Sequence, residues 1–379
     1  LGRELSVRGI PYLILEKEEV VGSTFANMTE STTYGPWMNN TLPGSPVPWT
    51  QKLRRTTRPE YAQYLKDYAH RHQLRVSCGV KVQATYPDRQ GFLVQTEDEN
   101  LYRCDYLVNA TGYFSKPNYP ELPGLRVTSI PYVHSAGYRS PQTIEELTGK
   151  GSSRVLIVGS RLSAGEILQE LHQAGHQVHL SHRGPIDTWP SPLQETLLSP
   201  LTYLWEELSL RMRWKRPGNL RPRLRKGQQW ELLTSGRVPC HPDLLRLESD
   251  RVVFVDRSQG QFDAIVFATG YKPALDHLAP LIKQVPPWVS GLESVDVPNL
   301  FFMGLSGSRS FRSEFLRGIR EDAPYLAQLL QERMAPPVLR ALPSAQSSPA
   351  ALPAGRRPQA DISRLYPIAA DRGDQDPGR

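Results

Sequence analysis

One stretch constrains the fold of this chain more than any other. Residues 154–165 read Arg-Val-Leu-Ile-Val-Gly-Ser-Arg-Leu-Ser-Ala-Gly, a helical run continues from Glu166 to Ala174, and Gln177-Val-His-Leu-Ser-His-Arg183 closes it. Strand, turn, helix and strand in that order make a βαβ unit, whose two strands lie parallel in a sheet covered by helices. The apolar strand runs into Gly159, and the small residues Ser163 and Ala164 let the helix pack against the sheet. The helix N-terminus then points at whatever sits above Gly159 and Ser160, where backbone N–H groups and the helix dipole suit a pyrophosphate. Arg161 replaces the second glycine of the G-x-G-x-x-G pattern of dinucleotide sites. A βαβ unit that holds no nucleotide therefore stays open as the plainer reading.

The end of the second strand separates two cofactors. An NAD site usually places an acid there for the ribose 2′-hydroxyl, and an NADP site uses arginine. Ser181, His182 and Arg183 include no acid. Arg183 is the candidate for a 2′-phosphate through a bidentate guanidinium contact, with an ordinary surface arginine as the alternative.

An internal repeat flanks this unit. Asp105-Tyr-Leu-Val-Asn-Ala-Thr-Gly-Tyr113 and Asp263-Ala-Ile-Val-Phe-Ala-Thr-Gly-Tyr271 match at the same spacing. Each reads as a buried strand stopped by a small-residue turn that lets a ligand or another backbone come close, at Thr111 and Gly112 and again at Thr269, Gly270 and Tyr271.

The opening residues mirror the central unit. Leu1 to Gly9 reads as the last turns of a helix capped by Gly9, and Ile10 to Leu15 as a strand ending in Glu16. That acid is placed to accept a hydrogen bond from the adenosine ribose of FAD, beside Lys17, and Gly22 follows in a close-approach turn. Since the chain opens inside the helix, a strand and a glycine-rich loop of about a dozen residues are expected ahead of Leu1.

Elsewhere the pattern is simpler. Pro59 opens a helix with Tyr61, Leu65 and Tyr68 on one face, Gly91–Thr96 is a strand after a turn at Pro87–Gly91, and short strands run from 251 to 269. A last helix spans about Ser313 to Arg333, and residues 335–379, rich in Pro, Ala, Ser, Gln and Arg, are expected to be disordered.

Composition excludes several classes. Three distant cysteines, Cys78, Cys104 and Cys240, form neither a disulfide framework nor a C-x-x-C pair. The net charge of +7 is concentrated in Arg211, Arg213, Lys215, Arg216, Arg221, Arg223, Arg225 and Lys226, a run without an acid, so the remainder is near neutral. Adjoining an apolar stretch, Leu197 to Leu210, and holding two prolines, the run reads as a solvated surface insertion rather than a membrane or polyanion contact. No nucleic-acid partner, no transmembrane segment and no signal peptide are expected, which makes a cytoplasmic protein the default.

These motifs resemble the flavin-containing monooxygenase family, from Leu1 to about Gln331. Glu16-Lys17 with Val21-Gly-Ser-Thr-Phe25 resembles its second FAD segment. Tyr34-Gly-Pro-Trp-Met-Asn39-Asn40-Thr41 resembles the stretch carrying an asparagine near the flavin ring. Val133-His134-Ser-Ala-Gly-Tyr138-Arg139 matches the second half of the family signature, whereas Thr128 and Ile130 depart from its first half. Pro298–Gly304 and Gly318–Ala323 resemble the strand and helix that return to the flavin.

The resemblance implies an α/β protein with two Rossmann-like domains. The FAD domain would comprise residues 1–149 and 264–334, with the NADPH domain, 150–263, inserted into it. It implies FAD, NADPH, O2 and a small organic substrate, in a chain that could pair as a homodimer. NADPH reduces FAD, the flavin captures O2 as a C4a-(hydro)peroxide, and one oxygen atom passes to the substrate by N or S oxidation or keto-acid decarboxylation. Asn40, or Asn39 one position away, would steady that adduct as a neutral donor. The helix at Gly318 would face negative charge on the flavin, and His134 and Tyr138 would serve as a hinge or link. Two alternatives remain: another flavin oxidoreductase on the same plan, or a non-catalytic paralogue that only binds. A yellow protein that consumes NADPH and O2 separates the first reading from both.

Overall fold

Alternation of apolar residues decides how the central sheet is buried. In the strand Arg154–Val158, Val155 and Ile157 point to one face and Leu156 and Val158 to the other, and all four are buried. The first pair meets the helix Leu162–Gln173 through Ala164, Ile167, Leu168 and Leu171. The second pair meets Leu244, Phe254 and Phe262 of a small antiparallel layer. Burying each large side chain contributes roughly 1.5–3 kcal/mol, so both faces of this strand are strongly specified. The computed structural model describes residues 1–28, 33–212, 223–334 and 366–367. The expected disorder of the tail and most of the basic run lie outside the described residues.

By contacts the chain divides into two units, the first made of residues 1–17, 71–112 and 275–379, the second of 18–70 and 113–274. The second unit holds a five-stranded parallel sheet. Its order is Tyr132–His134, Ala264–Phe267, Arg154–Val158, Gln177–Ser181, Cys240–His241. The chain moves outward in one direction through 177–181 and 240–241, then returns to pair 264–267 on the opposite side of 154–158. The strand order therefore reverses between Arg154–Val158 and Ala264–Phe267, which is where an open α/β sheet leaves a crevice at its carboxyl edge.

The first unit is built on shorter parallel pairs. Helix Gly2–Val7 ends as expected at Gly9 (φ +67°), where Gly9 N–H donates to the Ser6 carbonyl and Ile10 N–H to the Leu5 carbonyl. Strand Ile14–Leu15 runs parallel to Val76–Ser77, and Leu107–Asn109 runs parallel to Leu300–Phe302. Phe301 faces the helix Leu316–Met334 with Leu326, Ala327 and Leu330, while Leu300 and Phe302 pack with Phe92, Leu275 and Leu278. The hairpin Val82–Asp88 and Gly91–Thr96 turns at 89–90, so Pro87 and Asp88, expected in the turn, extend the strand instead. The fold is the expected α/β class with parallel sheets.

Candidate dinucleotide-binding sites

Gly159 is fixed by its surroundings. Its φ is +129°, and a Cβ there would lie 2.5 Å from the Ala268 carbonyl oxygen. Its N–H donates to the Ser181 carbonyl (2.8 Å), and Ala268 N–H donates to the Val158 carbonyl (2.9 Å). The strand end, the Ala268-Thr269-Gly270 turn and the second strand are thus drawn together at the switch point. Arg161 has an extended backbone (φ −103°, ψ −169°), a conformation open to any residue, so the missing glycine costs no backbone strain.

The helix that follows has no side-chain cap. Its first internal hydrogen bond is Gly165 N–H to the Arg161 carbonyl, so the N–H groups of Leu162, Ser163 and Ala164 have no acceptor within the helix. Ser160 is half-buried, Ser163 exposed and Ala164 buried against the sheet. Arg183 projects beyond the second strand with its side chain 72 % exposed, and its Nε donates to Asp243 (2.7 Å). That contact leaves both terminal nitrogens of a planar fork for an anion. An uncapped helix start, a glycine that admits no side chain and a held arginine fit a phosphorylated dinucleotide.

The second Ala-Thr-Gly turn is tied to the segment after the first. Thr269 Oγ1 donates to the Asn118 carbonyl (2.5 Å), and Asn118 N–H donates to the Gly270 carbonyl (2.9 Å). Tyr271–Lys272 then pairs antiparallel with Lys116–Pro117, so the continuations of the two repeats form one ribbon in the second unit. His134 ends the neighbouring strand and is buried, between the rings of Tyr119 (5.4 Å) and Tyr271 (5.2 Å). Its Nδ1 accepts the Ala136 N–H (3.0 Å), which puts the proton on Nε2. Burial pushes its pKa down to about 4, opposed by the Gly270 carbonyl, so the ring is neutral near pH 7. Tyr138, fully buried, sits one turn further and donates its N–H to the His134 carbonyl (3.2 Å).

In the first unit the corresponding features gather at the ends of the parallel pair Leu107–Asn109 and Leu300–Phe302. Gly112 (φ +71°) has open space around it, and Gly304 (φ +82°) lies beside it. Thr111 Oγ1 accepts from Asn109 Nδ2 (3.3 Å), while the buried Asn109 Oδ1 has no hydrogen-bond partner. Glu16 and Lys17 follow the strand Ile14–Leu15, with Glu16 N–H bonded to the Ser77 carbonyl. A bare backbone cradle with an orphaned polar atom at a carboxyl edge fits a flavin nucleotide. Gly318 has a separate reason to be glycine: a Cβ there would lie 1.9 Å from the Arg312 carbonyl oxygen, where the preceding loop crosses the helix start.

The asparagine segment belongs to the second unit. Tyrosines from the helix Arg58–Arg71 hold it: Tyr64 accepts the Leu42 N–H and donates to the Ser45 carbonyl, and Tyr68 donates to the Pro43 carbonyl. Gly22 (φ +85°) lets the preceding turn approach the backbone of Ala62. Asn40 is buried, and its amide donates to the Gly35 carbonyl (2.8 Å) and to Thr56 Oγ1 (3.1 Å). Asn39 carries a buried Oδ1 without a partner.

More than half of the chain, residues 1–210, matches the model of one protein family, described as pyridine nucleotide-disulphide oxidoreductase. The chain belongs to that family. Among its relatives is an uncharacterized CzcO-like oxidoreductase of Geobacillus kaustophilus, 26 % identical over 343 residues, covering 86 % of this chain and 93 % of the relative. Another is the probable indole-3-pyruvate monooxygenase YUCCA1 of Arabidopsis thaliana, 26 % identical over 321 residues, covering 76 % and 73 %. The solved structure of a flavin-containing monooxygenase from Stenotrophomonas maltophilia shares the fold with a TM-score of 0.71 at 22 % identity, covering 88 % of this chain and 95 % of that one.

Two features of this family member were not legible from its sequence. Glu166, one turn into the helix after Gly159, forms a buried ion pair with Arg225 (3.5 Å), a partner far along the chain. Helix Pro192–Arg211, which no strong periodicity announced, packs on the strand Thr33–Pro36. The described cysteines are all free, and among the described residues no cluster suits a metal ion. No described helix is long and apolar enough to cross a membrane.

Proposed function

We propose that this chain is an FAD- and NADPH-dependent monooxygenase that transfers one oxygen atom from O2 to a small organic substrate. The observation that carries the reading is the reversal of strand order at Gly159, where a side chain is excluded and an uncapped helix begins. In this reading residues 150–263 serve NADPH, and residues 1–149 with 264–334 serve FAD. Bound flavin, reduced by the nicotinamide, supplies the electrons that activate O2.

The chain's own residues bind, orient and exclude water. The N–H groups of Leu162, Ser163 and Ala164 hold the pyrophosphate of NADPH, and Arg183, steadied by Asp243, takes the 2′-phosphate. Glu16 accepts from the adenosine ribose of FAD, while Thr111, Gly112 and Gly304 let the flavin nucleotide approach bare backbone. His134 is neutral and walls the Thr269-Gly270-Tyr271 turn without offering a titrating proton near pH 7. The amide of Asn40 already donates to the Gly35 carbonyl and to Thr56 Oγ1, and the atom of Asn39 without a partner is Oδ1, an acceptor, so both asparagines stay candidates for the neutral donor beside the flavin. Relatives named as monooxygenases favour oxygen transfer, and the lack of a C-x-x-C pair disfavours electron delivery to a disulfide.

The test is to purify the chain with FAD, record the flavin absorbance, and follow NADPH and O2 consumption with amine, sulfide and keto-acid substrates. Tight coupling of NADPH oxidation to an oxygenated product supports the proposal. Flavin bound without NADPH oxidation points to another flavin oxidoreductase, and a colourless protein to a non-catalytic paralogue.

A further inference from the structure

The helix Pro192–Arg211 is inside out for a surface helix. Its inward side buries Glu206 and Ser209, whereas Leu193, Leu197, Leu201, Leu204, Trp205 and Leu208 are 43–69 % exposed. At about 100° per residue these six side chains occupy an arc of about 120°, wide enough to be the buried stripe of an ordinary amphipathic helix. Between Leu197 and Leu208 no charged residue falls in that arc. A monomer in water rarely leaves so many large apolar side chains together on one face. The helix is about 30 Å long, and it does not qualify as a membrane span.

Charge decides between occupants. The sequence that continues the helix carries eight basic residues over 211–226 and no acid; Arg225 is buried against Glu166 and Arg223 lies 3.6 Å from Asp187, which leaves six cations for a partner. A second copy would bring the same six cations with no compensating acid in that run, whereas an anionic lipid surface answers both the leucines and the positive charge. We propose that this helix lies flat on anionic membrane surfaces, with its leucine face sunk into the headgroup boundary. The experiment is co-sedimentation of the full chain with vesicles of phosphatidylcholine alone and of phosphatidylcholine with phosphatidylserine. Binding is expected to the mixed vesicles and to weaken with added salt. The combined change Leu197→Ser, Leu201→Ser, Leu204→Ser should lower partitioning on the order of tenfold or more, because each removes a buried apolar side chain. Circular dichroism should stay unchanged in that variant, since the three positions face solvent. Failure to bind either vesicle, or binding indifferent to the serines, overturns the proposal. So does sedimentation velocity showing a dimer that the serines dissociate, which would give the face to a second copy.

Discussion

The two Ala-Thr-Gly turns end strands of unequal standing. Ala264–Phe267 has parallel neighbours on both sides and is buried throughout, and the carboxylate of Asp263 anchors its start through Arg154 N–H (2.7 Å) and Lys150. Leu107–Asn109 has one described parallel neighbour and is half-buried except at Asn109. The same sequence motif thus sits in a tightly enclosed position in one unit and a more open one in the other. The motif supplies a turn; how much a change there costs is set by the packing around it.

That contrast can be broken or sharpened by experiment. Gly159→Ala should have the largest effect, since its Cβ meets the Ala268 carbonyl at 2.5 Å and its φ is positive. A loss of roughly 2–4 kcal/mol in urea unfolding is expected, combining overpacking with left-handed strain, together with loss of NADPH binding. Retained stability and affinity would mean the switch point is looser than its geometry. Arg183→Ala should leave folding intact and weaken NADPH about 10- to 100-fold while leaving NADH nearly unchanged, as expected for one charge-assisted phosphate contact. Equal effects on both nucleotides would move the 2′-phosphate elsewhere.

Acid provides the third comparison. His134 and His179, both in the second unit, are held down to about 4, in each case chiefly by burial. The unfolded chain binds these protons first, so stability is present above the ordinary histidine range and is lost as pH falls from about 6.5 toward 4, by up to roughly 1.4 kcal/mol per pH unit for each ring. Urea midpoints measured from pH 7 to 5 should show that slope, and His179→Gln should flatten it. The smallest effect belongs to Gly112→Ala, where a Cβ meets open space and only the left-handed φ matters. About 1 kcal/mol is expected in thermal unfolding; a cost matching that at Gly159 would mean that the packing around a glycine does not set what its replacement costs.

Features written in the backbone were the most legible. Gly159, Gly112, Gly270 and Gly304 all mark carboxyl ends of parallel strands, because a positive φ excludes most residues and leaves glycine in the sequence. The βαβ unit announced itself through apolar alternation, and its helix begins at Leu162, four residues before the run from Glu166. Side-chain pairings across long separations left no local signal. Nothing near Glu166 points to Arg225, and the Asn39–Asn40 segment is held by distant partners, the tyrosines of Arg58–Arg71, Thr56 and the carbonyls of Lys52 and Arg54. The leucines of Pro192–Arg211 were read as an apolar stretch; their outward orientation is a property of the packing against Thr33–Pro36.

The direct test of a nucleotide seat above Gly159 is calorimetric titration of the full chain with NADPH and with 2′,5′-ADP, repeated on Gly159→Ala and Arg183→Ala. Saturable binding of both ligands, abolished by the first change and weakened by the second, is the expected result. Affinity for NADPH that neither substitution alters would place the nucleotide elsewhere and contradict the account.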